Sequence, residues 1–273
     1  EDCQALTAHT QKIIRQWCTD SQYGTKASEG QKLLRHLMLE EYALRIIRMR
    51  YHKAYSVSPE PFHEMMRATI QLVSAFCRHN GTNQTIFEAH MTPTLLDLMK
   101  DKHYYVDAAV MLAVVVEDNE VISLAHAELL VDAVSELSLS ADHGRCMEVL
   151  VLLEKLLVAN GKHIETSQVT VCKGAFVCRS LIDLDGHLAK DAWGKGKAMS
   201  RVECIQRACS GERSNDVKRC QLATDYYAKC LELLGLCARG DMPATELMCA
   251  AVLPFEECVD RLNEMYTLKQ TGG

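Results

Sequence analysis

Thirteen cysteines and eleven histidines give this chain its widest chemical range, so their spacing is the first test. Thiolates and imidazoles hold zinc when they recur at short fixed intervals. No Cys-x-x-Cys pair occurs, and neither Cys172/Cys178 nor Cys204/Cys209 has metal-ligand spacing. His63-Glu64 opens like a zinc-protease helix, but the second histidine that such a helix requires is replaced by Arg67. Asp183-x-Asp185-Gly186 opens like a calcium loop, which needs glycine at position six and glutamate at position twelve. Leu188 and Gly194 stand there instead. Gly194-Lys195-Gly196-Lys197 lacks both the preceding apolar strand and the following Ser/Thr of a phosphate-binding loop. No Gly-x-Ser-x-Gly elbow is found. A cysteine nucleophile with a distant histidine has too many pairings to single one out. The reading is therefore non-catalytic: no catalytic residue, no cofactor site and no metal site is assigned.

Two weaker features remain. Cys77, Cys146, Cys220, Cys230, Cys237 and Cys249 sit on apolar stripes, as expected of buried free thiols in a reducing compartment. Arg45, Arg48, Arg50, His52 and Lys53 form the densest basic cluster. It could receive a phosphate or an acidic partner, and it also suits the negative end of a helix dipole. The net charge of −6 argues against general nucleic-acid binding, which needs a basic surface.

These residues must be positioned by helices. Only five prolines occur and apolar residues recur at three- and four-residue steps, so helix is expected almost throughout. The organising stretch is Glu148 to Cys172. Val149, Leu152, Leu153, Leu156 and Leu157 draw one helical face, Asn160-Gly161 stops it, and Thr166 is placed to cap a second helix carrying Gln168, Val169 and Val171. Similar corners stand at Asn80-Gly81, at Asp118-Asn119 and at Gly240. Asn80 to Asn119 is 39 residues, Asn119 to Asn160 is 41 and Gly161 to Gly240 is 79. One beat of about 40 residues, silent once near residue 200, is the period of armadillo and HEAT arrays. The expected fold is an all-α, armadillo/HEAT-like solenoid of helical hairpins. It is read as one fragment spanning 1–273, since the chain opens on Glu1 rather than methionine. Within it, 1–60 are N-terminal helices, 61–182 core repeats, 183–199 a loop insertion and 200–267 a C-terminal repeat.

Finer expectations follow. Residues 1–20 form a helix with Leu6, Ile13, Ile14 and Trp17 inward, and Ser21 to Gly30 is a polar break. Leu33, Leu34, Leu37, Tyr42, Leu44 and Ile47 are candidates for burial, and His52 to Pro61 is a loop. Phe62, Met65, Met66, Ile70, Val73, Phe76 and Cys77 line a helix from about Pro61 to His79. One helix starts in Thr82–Glu88, and another opens with Thr92 as cap and Pro93 in its first turn. Asn215 or Asp216 caps a helix running to Ala238, and Pro254 opens the last helix. The longest apolar run, Ala108 to Val116, is nine residues, well short of the ~20 that cross a bilayer. No secretory signal leads the chain.

Short matches in order carry a family resemblance. Phe76-Cys77-Arg78-His79-Asn80-Gly81-Thr82-Asn83-Gln84, followed by Phe87-Glu88-Ala89-His90, resembles the core of the homology region shared by inositol trisphosphate receptors and ryanodine receptors. Val158-Ala159-Asn160-Gly161-Lys162-His163-Ile164 with Gln168 resembles its later signature, and Gln31-Lys32-Leu33-Leu34-Arg35 with Ala43-Leu44-Arg45-Ile46-Ile47 its upstream start. Leu233 to Cys237, Gly240, Glu246-Leu247, Cys249 and Val252 to Val259 are more similar to inositol trisphosphate receptors than to ryanodine receptors. The resemblance covers roughly 28–182 and 212–262, and the 183–199 insertion departs from it. It implies a cytosolic, armadillo-like regulatory segment of a ligand-gated calcium-release channel of the endoplasmic reticulum or a related store. The parent would be a homotetramer, and this segment's partners would be its other domains. No nucleic acid and no membrane contact by the segment itself are implied. None of the family's ligand-contacting or pore residues maps onto this chain. The alternative is a freestanding armadillo adaptor that grips an extended peptide. Trp17 and Trp193, the only tryptophans, do not fall on the beat that such a groove requires.

Overall fold

The computed structural model describes residues 2–18, 24–49, 59–101, 103–139, 146–178, 201–208, 214–240, 242–254, 256 and 259–260. These are mostly helical. In order they form α1 (Asp2–Ile13), a π-helical turn (Ile14–Cys18), α2 (Gly24–His36), α3 (Leu39–Ile47), α4 (Glu60–Cys77), α5 (Gly81–Met99), α6 (Tyr105–Val116), α7 (Glu120–Leu139) and α8 (Met147–Leu157). A hairpin of β1 (Val158–Ala159) and β2 (Lys162–His163) follows, then α9 (Glu165–Val171), a second π-helical turn (Cys172–Cys178), α10 (Arg201–Ala208), α11 (Asn215–Cys237) and α12 (Pro243–Val252). The expected 183–199 loop, most of the 52–61 loop and most of the helix expected after Pro254 lie outside the described residues.

The chain divides into two compact units, Glu1–His126 with Val151–Ile164, and Ala127–Leu150 with Glu165–Gly273. In the first, α4 packs against α1, α3 and α6, and α5 packs against α6. The inner face of α4 is the expected one: Met65, Met66, Ile70, Val73, Phe76 and Cys77 are buried, and Phe62 is half-buried. Phe76 meets Phe87 of α5 edge to face, centroids 5.6 Å apart. In α6 every residue from Ala108 to Val116 except Val110 is buried, as befits a helix that is apolar nearly all round. In the second unit, α9 and the following π-helical turn pack against α11 and α12, and α10 packs against α11. Cys204 and Cys220 form a small core with Ala208, Ala223 and Tyr227.

Several local expectations are corrected. Gly24–His36 is one helix, so Gly30 is helical rather than part of a break. Leu33, Leu37 and Tyr42 are exposed, while Leu34, Leu44 and Ile47 are buried. The polar bonds of Gln31 and Arg35 turn the Gln31/Leu34 face of α2 inward, which leaves Leu33 and Leu37 outside. Leu6 is exposed too, because the buried residue of α1 is Thr10. Helix α5 runs unbroken through Thr92 with Pro93 inside it. Ala89 and Pro93 face solvent, so the carbonyl that proline leaves unbonded is hydrated instead of buried. Ser214, rather than Asn215 or Asp216, caps α11, its hydroxyl accepting from the Val217 amide at 3.2 Å. Thr166 lies inside α9, not at its cap.

The organising stretch also differs in detail. Its five apolar residues are all buried, yet Asn160-Gly161 closes a β-hairpin instead of joining two helices. Val158 pairs with His163 and Ala159 with Lys162. Asn160 (φ 51°) and Gly161 (φ 76°) are both left-handed, the geometry of a two-residue type I′ turn, for which Asn-Gly is the preferred pair.

A close approach marks Gly174. A β-carbon there would stand 2.5 Å from Cγ1 of Val131, and valine is stiff about χ1. Gly174→Ala is expected to destabilise the chain by about 1–2 kcal/mol through overpacking, despite alanine's helix preference of up to about 1 kcal/mol. In a Val131→Ala background the same change should be neutral or stabilising. Urea denaturation of the four combinations measures the coupling.

Candidate functional site

The polar chemistry of the described residues concentrates where helices end. The last carbonyls of a helix have no partner within it, and at three corners a glutamine from another helix supplies one. Nε2 of Gln31 on α2 donates to the carbonyls of Ala75 and Arg78, both at 3.0 Å. Nε2 of Gln84 in the first turn of α5 donates to those of Val114 and Glu117, both at 2.9 Å. Nε2 of Gln168 on α9 donates to those of Leu236 and Arg239, at 2.8 and 2.7 Å. Each amide spans carbonyls three residues apart, so both of its hydrogens are used. All three side chains are buried, and burial is tolerable only because the donors are satisfied.

Each corner continues in the same way. A left-handed residue follows the second carbonyl: His79 (φ 53°), Asp118 (φ 55°) and Gly240 (φ 92°). At the first corner this overturns the expectation that Asn80-Gly81 makes the turn. Asn80 is instead the cap of α5 (φ −136°, ψ 89°), and Gly81 is already helical. Asn80 works in two directions. Its Oδ1 accepts from the Asn83 amide at 3.2 Å, and its Nδ2 donates to Oε1 of Gln31 at 3.0 Å. Asn119 repeats this, accepting from the Ile122 amide at 3.3 Å and donating to Oε1 of Gln84 at 3.3 Å. One asparagine thus starts the next helix and completes the amide that closes the previous one.

The first corner is reinforced by Asn83, which is fully buried. Its Nδ2 donates to the Phe76 carbonyl at 2.8 Å, and its Oδ1 accepts from Arg35 at 3.1 Å. The second corner is tied to the hairpin. The Asn160 backbone amide donates to Oδ1 of Asp118 at 2.8 Å, and its side-chain Nδ2 donates to the Asp118 carbonyl at 3.2 Å. Lys155 and Glu117 form an ion pair at 2.6 Å beside it.

The third corner lacks its asparagine. Asn80 and Asn119 stand five residues after Ala75 and Val114, and five after Leu236 comes Asp241, which lies outside the described residues. Oε1 of Gln168 is buried without a partner among the described residues.

The residues first tested for catalysis are distributed differently. His63 stacks on His103, centroids 4.4 Å apart, and is hydrogen-bonded to the Tyr104 hydroxyl. Burial, then the neighbouring His103, holds its imidazole below its ordinary value. Burial, then Asp101, pushes the Tyr104 hydroxyl up to about 12. Arg45 lies in the last turn of α3, 4.0 Å from Glu41 and exposed, and Arg48 reaches Oγ1 of Thr94 at 3.5 Å. Arg50, His52 and Lys53 lie outside the described residues, as do Asp183–Lys197. Cys77, Cys146, Cys220, Cys230, Cys237 and Cys249 are buried thiols outside any disulfide, as expected of their stripes. No helix among the described residues is long and apolar enough to cross a membrane.

Gln31, Asn80, Asn83, Gln84 and Gln168 carry part of the family resemblance, in which the corner asparagines have only the task of turning the chain. Their shared work shows only in the tertiary structure. A chain that is mostly helical among its described residues, with corners closed by buried amides, is thus the class that fold and site define. The family model of the RIH domain (RYDR_ITPR) matches residues 7–181, more than half of the chain, and the chain belongs to that family. RIH domains are typical of inositol trisphosphate receptor and ryanodine receptor channels. All the corner amides lie within the match, while the carbonyls that Gln168 holds lie beyond it.

Proposed function

We propose that the chain is a non-catalytic regulatory segment of an intracellular ligand-gated calcium-release channel similar to the inositol trisphosphate receptor, relaying ligand binding toward the pore. The membership of residues 7–181 in the RIH family carries this reading. The parent is a homotetramer whose other domains are this segment's partners, and the segment stands on the cytosolic face of the store membrane.

The mechanism in this reading is a lever of stacked helical hairpins with a beat of about 40 residues. Three observations support it. Ala75 and Val114, the first carbonyls of two corners, are 39 residues apart. Leu236, the first carbonyl of the third, follows Val114 by 122, close to three further steps. The second corner is also bonded to the hairpin 42 residues further on, through Asp118 and Asn160. Helix ends held by buried amides do not bend gradually; they are either bonded or broken. Elements of that kind pass a displacement on as a discrete rearrangement.

In the full-length channel, deletion of residues 61–182 should abolish ligand-evoked calcium release while ligand binding persists. Gln84→Ala, which leaves the segment in place, should reduce release in the same assay. Unchanged gating in both variants would refute the coupling role.

A further inference from the structure

Three thiols of the second unit converge where α11, α12 and the π-helical turn after α9 meet. Sγ of Cys172, at the start of that turn, lies 3.6 Å from Sγ of Cys249 on α12. Sγ of Cys249 also lies 3.6 Å from the Leu234 carbonyl. Cys237 is the third member of the group and a neighbour of Cys172. Cys172 and Cys237 have no exposure, while Cys249 is 8% exposed and forms the outer edge of the group. Other buried cysteines direct their sulfur at oxygen. Cys77 meets the Asn83 carbonyl, Cys146 the Glu148 carboxylate and Cys204 the Cys220 carbonyl. The Cys172–Cys249 contact is sulfur to sulfur, and its members are 77 residues apart in sequence.

We propose that Cys172 and Cys249 are a reversible disulfide pair that peroxide closes, fastening α12 to the turn that follows α9. Contact at 3.6 Å must shorten to the ~2.05 Å of a disulfide. Hydrogen sharing with Cys237 first and Cys249 second holds Cys172 below the ordinary cysteine value against the opposing effect of burial. The same sharing, together with burial, pushes Cys237 and Cys249 up. Cys172 is thus the sulfur that carries negative charge and attacks.

The reaction balances with one peroxide. The Cys172 thiolate attacks one peroxide oxygen; the S–O bond forms, the O–O bond breaks, and the leaving hydroxide takes up the proton that Cys172 released. Sγ of Cys249 then attacks the sulfenic sulfur. The S–S bond forms, the S–O bond breaks, and the Cys249 proton leaves with the hydroxide as a second water. The two thiols lose two electrons and the peroxide gains them. A dithiol reductant reverses the step, so in a reducing compartment the bond is transient. Because Gln168 sits one turn before Cys172 and holds the end of α11, closing the disulfide also fastens the third corner.

The 273-residue chain, treated with hydrogen peroxide and then alkylated in denaturant, should yield a Cys172–Cys249 linked peptide under non-reducing conditions. The melting temperature should rise and return on addition of dithiothreitol, and Cys249→Ser should show neither effect. Recovery of both cysteines as alkylated thiols, or of Cys172 bonded to Cys237 or to any other cysteine, overturns the proposal. The wild-type peptide map decides this even if the serine variant does not fold.

Discussion

Gln84→Ala is expected to lower the unfolding free energy by about 3 kcal/mol, because one buried and two half-buried groups lose their partner and each stands to lose about 1–3 kcal/mol before partial rehydration. The substitution strips the hydrogen bonds from the Val114 and Glu117 carbonyls and from Nδ2 of Asn119. Alanine's better helix propensity returns only a few tenths of a kcal/mol. Gln71→Ala, on the exposed side of α4, is the control and should stay within about 0.5 kcal/mol of wild type. Asn119→Ala combined with Gln84→Ala should be less damaging than the sum of the two, because each single variant already orphans the other's partner. Denaturant titration of wild type and the four variants tests this. A Gln84→Ala protein as stable as the control would mean that the buried amide contributes nothing net.

Phe76→Ala should be at least as severe. The ring is fully buried in α4 and meets Phe87 at an interplanar angle of 71°. Removing a buried phenylalanine costs about 3–5 kcal/mol through lost transfer energy and the cavity left behind. The edge-to-face pair adds about 0.5–1.5 kcal/mol to that. The site has little room to collapse, because the Phe76 carbonyl is held by Asn83 and Asn83 is held in turn by Arg35. Phe76→Leu, which keeps most of the volume, should recover more than half of the loss. Unfolding midpoints of the Ala and Leu variants, measured at unchanged denaturant slope, check both statements. A loss under 1 kcal/mol would show that α4 and α5 repack freely around the gap.

These two substitutions touch opposite kinds of information. Phe76 was legible as core from its place in the stripe Met65, Met66, Ile70, Val73, Phe76, Cys77, which repeats at helical steps. The buried cysteines were legible for the same reason. Corners were found to within two residues, because glycine and asparagine mark left-handed backbone. Which residue takes the positive φ was not legible: His79 rather than Asn80 at the first corner, since Asn80 must be extended to cap α5. The Asn160-Gly161 hairpin was missed because its strands are two residues each, too short to show any alternation.

The amino-acid order by itself determined the helical character and the family, since each rests on patterns within a few turns of chain. Tertiary structure alone decided which polar residues go inside. A glutamine on a helix reads as a surface residue, and nothing local distinguishes Gln84 from Gln71. The distinction arises when helix ends 30 to 71 residues away present two unbonded carbonyls at the spacing of one amide group. Burial then becomes favourable, because the hydrogen bonds lost to water are replaced within the protein.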